Sequence, residues 1–182
     1  NLDALLIFRQ ESMYWLTGYD TFGYVFFQCL IITTNGNKIL LTRAPDLRQA
    51  QNTSNITDIR IWVDQDKANP SDELKKILNE LNLKNKNLGI KYDSYGLTGY
   101  NAIKLNKTLE NFANLSDYSF LISKLRLLKS KAELSYIRKA AQLADEALEN
   151  AWSLAHPGSN EADILAAMQG AVLRGGGDYP GN

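Results

Sequence analysis

Apolar and polar positions alternate along the first two thirds of the chain so as to call for strands and amphipathic helices by turns. Leu2 to Phe8 (LDALLIF) is a nearly continuous apolar run, the pattern of a strand covered on both faces. Gln10 to Gly18 predicts a turn or short helix ended by glycine. Val25 to Ile32, β-branched and aromatic with little polar alternation, predicts a central strand. Asn35-Gly36 predicts a hairpin that returns the chain antiparallel through Lys38 to Thr42. Asp46 to Gln51 has room for one or two helical turns, and Asp58 to Val63 alternates as a strand does. Pro70-Ser71-Asp72 opens a helix with Leu74, Ile77, Leu78 and Leu81 on one face and Ser71 as its cap. Leu88 to Tyr92 predicts another strand. Gly99 to Asn111 predicts a helix with Ile103, Leu105 and Leu109 apolar, and Asp117 to Phe120 a last short strand.

Strands that alternate with amphipathic helices over short loops specify an α/β fold, here a mixed sheet flanked by helices on both faces. That domain is expected to span 1–127. From 128 to 182 the pattern changes to two helices. Ser130 and Glu133 form a capping box, and Leu134, Ile137, Ala141, Ala144, Leu148 and Ala151 recur at helical spacing behind it. His156-Pro157-Gly158 ends that helix. Asn160, with Asp163 three residues on, caps a second one carrying Ile164, Leu165, Met168 and Val172, which runs into Gly175-Gly176-Gly177.

The chain has 182 residues, enough for one large domain or for a small domain plus part of another. Lys plus Arg and Asp plus Glu stand at 20 each, a formal net charge of zero. That balance excludes a nucleic-acid or anionic-membrane surface as the main business, and no apolar stretch approaches the ~18 residues of a membrane span. The one cysteine, Cys29, has no partner for an intramolecular disulfide, so the chain reads as cytoplasmic. The Asn-x-Ser/Thr triplets at Asn52, Asn55, Asn106 and Asn114 read as accidental in an asparagine-rich chain. The sequence opens at Asn1 directly before a strand and stops in mid-motif at Asn182, so both ends are expected to be cut edges.

Candidate chemistry is sparse. The aromatic group Tyr14, Trp15, Tyr19, Phe22, Tyr24, Phe26 and Phe27 is the densest feature; Trp15, Phe26 and Phe27 read as core and strand. Tyr19, Phe22 and Tyr24 flank Asp20 and Gly23 in a loop, where exposed aromatics line pockets or interfaces. Arg43 closes a strand and is the cation placed to meet a carboxylate. His156, the only histidine, sits in a helix-ending turn, and Cys29 lies within a strand with nothing to lower its pKa, so neither predicts a nucleophilic mechanism. Asp145, Glu146 and Glu149 read as a solvated helix face, and the triple glycine matches neither a phosphate loop nor a dinucleotide fingerprint. No self-sufficient catalytic constellation is predicted within the chain.

Several weak motifs nevertheless fall in a familiar order. Arg126, Lys129-Ser130-x-x-Glu133, Ile137-Arg138-x-Ala140, Pro157-Gly158-x-x-Glu161 and the Gly-Gly-Asp-Tyr-Pro end resemble the creatinase/prolidase family of "pita-bread" metallohydrolases. Tyr14-Trp15-Leu16-Thr17-Gly18-Tyr19 and Leu40-Leu41-Thr42-Arg43 resemble that family's N-terminal domain. The resemblance implies an N-terminal domain followed by the first helices of an incomplete catalytic domain. It implies a parent enzyme of the Xaa-Pro dipeptidase or aminopeptidase type, acting on short peptides as a homodimer. Two divalent metal ions are implied in that parent, on ligands that lie beyond Asn182, and no cofactor in this chain. The loop at Tyr19 to Tyr24 is implied to reach the partner's active site. Gln10 to Lys38 contains no arginine, a departure that speaks against creatinase itself. A C–N hydrolase of small amidino or cyclic-amidine compounds stays open within the family. Outside it, so does a non-catalytic module that pairs through its two exposed helices.

Overall fold

The opening apolar run becomes β1 (Ala4–Ile7), and all four of its residues are buried. Successive strand side chains point to opposite faces, and here the two faces separate cleanly. Ala4, Leu6 and Phe8 join one core cluster, while Leu5 and Ile7 join another. The computed structural model describes residues 2–178, so Tyr179 and Pro180 of the glycine-rich end lie outside the described residues. Around β1 a six-stranded sheet runs in the order β4-β3-β2-β1-β5-β6. Its other strands are β2 (Cys29–Thr33), β3 (Lys38–Arg43), β4 (Asp58–Trp62), β5 (Asn87–Lys91) and β6 (Asn114–Asp117). β2 pairs antiparallel with β1 and β3, and every other pairing is parallel. Five strands therefore end at one edge of the sheet, and β2 starts there.

Helices cover both faces. α3 (Pro70–Glu80) and α4 (Gly99–Leu109) place Leu74, Ile77, Leu78, Leu105 and Leu109 in the first cluster. α1 (Gln10–Thr17), α2 (Leu47–Thr53) and α5 (Leu121–Leu125) contribute Met13, Ala50 and Ile122 to the second. This is the mixed, two-face-covered α/β sheet that the alternating pattern predicts.

Four local expectations fail, three of them for identifiable reasons. The central strand starts at Cys29, not Val25, because Phe22–Val25 forms a 3-10 turn capped by Thr21. β6 lies at Asn114–Asp117 and not at Asp117–Phe120, since the Asp117 carboxylate accepts the Ser119 N–H and hydroxyl and turns the chain. The cap of α3 is Asn69, whose side chain accepts from the Ser71 N–H, with Pro70 in the first turn. Ile103, predicted on the apolar face of α4, is exposed.

The chain divides into two compact units, one up to Leu125 and one from Arg126 onward. The second unit holds α6 (Lys131–Leu154) and α7 (Glu161–Arg174). The Ser130–Glu133 capping box is fully formed, and Asn160 caps α7 through the Ala162 N–H. Leu143, Ala147 and Ala171 are the buried residues of these helices. The end of α7 lies against α6 so closely that a Cβ on Gly175 would stand 2.2 Å from Leu143.

Candidate functional site

In open α/β sheets, ligand and partner sites gather where strands end. At that edge here, β1 leads to Arg9, β3 to Arg43, β4 to Asp64 and β5 to Asp93. Arg9 donates to Asp93 Oδ2 at 2.5 Å and, through Nε at 3.0 Å and an amino group at 3.2 Å, to both oxygens of Glu11. The hydrogen bond to Glu11 leads the effects that hold its guanidinium above the ordinary pKa. This clamp ties the exits of β1 and β5 together.

Across the same edge runs the segment that connects α1 to β2. Gly18 turns it in the left-handed region, with φ at 79°, and a Cβ there would stand 2.6 Å from the Thr53 carbonyl. The Asp20 N–H donates to Thr53 Oγ1 at 3.0 Å. The Thr21 hydroxyl donates to Asp46 Oδ1 at 2.7 Å and accepts the Gly23 N–H at 2.9 Å. The Trp62 indole donates to the Phe27 carbonyl at 2.9 Å, which fixes the exit into β2. Between these anchors Phe22 is 74% exposed, and Val25 and Phe26 are exposed as well. Tyr24 meets Tyr95 edge to face, with centroids 5.8 Å apart. Gly96 fits under the turn, since a Cβ there would stand 2.3 Å from the Phe26 carbonyl. The result is a fastened, outward-facing aromatic surface.

The predicted site residues separate. Phe22 and Tyr24 stand on this surface. Tyr19 does not: it is fully buried in the core, where its hydroxyl donates to Gln28 Oε1 at 2.9 Å and lies 3.3 Å from Thr42 Oγ1. Burial raises its pKa above the ordinary tyrosine value. Arg43 is also committed inside the fold, with 15% of its side chain exposed. Its Nε lies 3.4 Å from Asp46 Oδ2, and its guanidinium carbon 3.3 Å over the Phe26 ring. Of the three aromatics expected in the core, Phe27 is buried edge-on to Phe8 at 5.3 Å, whereas Trp15 and Phe26 are exposed. Phe26 is out because it covers Arg43 instead of continuing a strand. Asp46 and Tyr95 belong to the site without having been predicted, whereas Thr21 and Gly23 lie in the expected Tyr19 to Tyr24 loop. The one local signal for Asp46 is its three-residue spacing from Arg43.

Cys29 is buried, and burial pushes its thiol well above the ordinary value, away from the reactive thiolate. No group of three or more His, Cys, Asp or Glu able to hold a metal ion occurs among the described residues. No helix among them is long and apolar enough to cross a membrane. A hollow of about 290 Å³ follows β4, lined in part by Trp62, Val63, Asn69 and Glu73. A more open cleft of about 630 Å³ lies at the opposite edge, by Lys75, Lys84 and Phe112. The carboxyl edge thus offers apolar and aromatic contact, and its Arg9 and Arg43 are engaged by Glu11, Asp93 and Asp46.

The model of the creatinase/prolidase N-terminal domain matches residues 1–128. The chain belongs to that family. An uncharacterised hydrolase/peptidase of Sinorhizobium fredii is 26% identical over 188 residues, covering 100% of this chain and 48% of the relative. A Staphylococcus aureus peptidase, also uncharacterised, is 24% identical and covers 96% of this chain and 46% of its own length. The chain thus spans about half the length of the curated relatives it matches. Among solved structures, a prolidase from Thermococcus sibiricus superposes with a TM-score of 0.75 at 19% identity, over 97% of this chain and 46% of that one. An Xaa-Pro dipeptidase from Bacillus anthracis gives 0.71 at 22%, over 95% and 44%. These likenesses place the mixed six-stranded sheet as the fold of a creatinase/prolidase N-terminal domain, with helices following it.

Proposed function

We propose that this chain is the N-terminal, dimerising and active-site-shielding part of an Xaa-Pro dipeptidase-like hydrolase of the cytoplasm. One observation carries the reading. A sheet domain with both faces covered fastens a turn at its carboxyl edge and presents Phe22, Val25 and Phe26 outward beside half-buried Tyr24, where aromatic residues serve protein interfaces best. In this reading the surface pairs with a second copy and walls off a pocket that accepts only short peptides. The family relationship and the peptidase names of the relatives support it.

Two divalent metals belong to the proposal; such a pair supplies activated water and stabilises the oxyanion formed at the scissile carbonyl. The described residues do not fit as their ligands, so no step is assigned to this chain beyond binding and exclusion of water. The test is to purify the protein expressed from its native gene and assay Xaa-Pro dipeptides with added divalent metal and with chelator. Metal-dependent turnover by a dimer, with KM raised in Phe22→Ala, is the expected outcome. Absence of turnover on every Xaa-Pro dipeptide tried would overturn the peptidase reading. A monomer by light scattering would overturn the pairing.

A further inference from the structure

The aromatic turn is held by groups spread over more than twenty residues of sequence, and one side chain touches most of them. Asp46 is buried, with 8% of its side chain exposed. Its Oδ1 accepts the Thr21 hydroxyl, and its Oδ2 faces Arg43 Nε. Gly23 lies directly over the carboxylate, so that a Cβ there would stand 2.4 Å from Oδ1. Arg43 extends the contact to the far side of the turn by placing its guanidinium carbon over the Phe26 ring. A carboxylate leaves water at reasonable cost only when hydrogen bonds and an opposite charge compensate it. Asp46 has both, and each comes with one end of the turn attached.

We infer that Asp46 is the positioning residue of the aromatic turn: its carboxylate, latched to Thr21 and Arg43 beneath Gly23, sets Phe22 and Phe26 in the arrangement against which a second copy docks. The latch rests on geometry alone, and its consequence for docking rests on the function proposed above. Asp46 acts through the turn and touches no partner itself.

The test is amide hydrogen exchange in the full chain carrying Asp46→Asn, Thr21→Val or Thr21→Ser. The reporters are the Gly23 N–H, donated to Thr21 Oγ1, and the Phe26 N–H, donated to the Gly23 carbonyl. Asp46→Asn and Thr21→Val are expected to exchange about tenfold faster at both, as when one charge-assisted hydrogen bond is lost. Amides of Leu6 and Ile31 in the sheet should not change, and Thr21→Ser, which keeps the hydroxyl, should restore the wild-type rates. Unchanged rates at Gly23 and Phe26 in both variants overturn the inference. Acceleration that spreads equally to Leu6 and Ile31 overturns it too, because Asp46 would then support the core at large. Thr21→Val leaves the Asp46–Arg43 pair in place, so the test survives if Asp46→Asn does not fold. Self-association by sedimentation separates the two readings. If Phe22→Ala weakens the dimer and both latch variants do not, positioning fails. If Phe22→Ala leaves the dimer intact, the docking reading fails, and the latch is judged by exchange.

Discussion

The sheet unit and the helical unit carry equally regular apolar patterns, and they use them differently. In the sheet unit the periodic residues of β1, α3 and α4, Ile103 excepted, are in the core, divided between two clusters on opposite faces. In the helical unit α6 repeats its apolar residues just as faithfully, yet Ile137, Leu148 and Trp152 are exposed, Trp152 at 71%. Periodicity fixes where a helix forms and which side is apolar, whereas burial requires another layer on that side. Two helices share one seam, and Leu143, Ala147 and Ala171 fill it. A sheet has two faces, and helices occupy both. Within this chain the same sequence signal therefore means core in one unit and exposed surface in the other.

The sharpest way to break this comparison is to truncate one residue from each pattern. Leu6, fully buried in β1, should cost about 2–5 kcal/mol as Leu6→Ala, for lost burial and the cavity left behind. Trp152→Ala removes a larger side chain and should stay within about 0.5 kcal/mol. Denaturant titration of both variants of this chain decides it. A Trp152 variant as damaging as Leu6→Ala would mean that α6 has a covered face.

A buried lysine sharpens the picture of the sheet unit. Lys91 at the end of β5 is fully buried, and its Nζ donates to the Ser119 carbonyl just beyond β6. Lys91→Met keeps the volume and removes the donor. It should destabilise the unit by about 1–3 kcal/mol, the cost of leaving a buried carbonyl without its partner. An unchanged denaturation midpoint would show that another donor replaces it.

What could be read from the sequence follows the same division. Strands and helices whose signal is local were legible: the continuous run of β1, the Asn35-Gly36 hairpin, the Ser130–Glu133 box. Features set by distant partners were not. Tyr19 looks like a loop aromatic because it follows Gly18 and precedes Asp20, but Gln28 and Thr42, nine and twenty-three residues away, draw its hydroxyl inside. Val25 and Phe26 have strand composition, yet Gly23 and Asp46 wind the chain into a 3-10 turn first. Phe22 and Tyr24 were legible as loop aromatics, while the latch beneath them was not, since the three-residue spacing of Arg43 and Asp46 does not point to Thr21, twenty-five residues away.

Tyr19 then yields a prediction with a pH signature. Tyr19→Phe removes a donor to Gln28 and should cost about 1–2 kcal/mol at neutral pH. Burial raises the Tyr19 pKa in the folded state, so the folded chain holds this proton to higher pH than the unfolded chain does. Its stabilising contribution is complete below about pH 10 and is lost as pH rises from there through the folded value. Wild-type stability should therefore fall more steeply above about pH 10 than that of Tyr19→Phe. Parallel curves would mean that Tyr19 ionises as freely folded as unfolded.

The smallest effect tests the comparison at its most local level. Ser130 caps α6, and Asn69 caps α3. Either change to alanine removes one capping hydrogen bond, about 0.5–1 kcal/mol for an exposed helix end. The consequences should differ. Behind Asn69, Leu74 and Leu78 are fully buried and hold the following turns in place whether or not the cap is present. Behind Ser130 the first turns of α6 are exposed, and the box is what closes them. Ser130→Ala should therefore speed exchange of the Glu133 and Leu134 amides severalfold, because the first donates to the Ser130 hydroxyl and the second to its carbonyl in a turn left free to fray. Asn69→Ala should speed the Ser71 amide, which donates to the lost side chain, and leave the amides from Leu74 onward unchanged. Equal fraying in both helices would show that the core behind α3 does not protect its end, and the distinction between the units would then lie in burial alone.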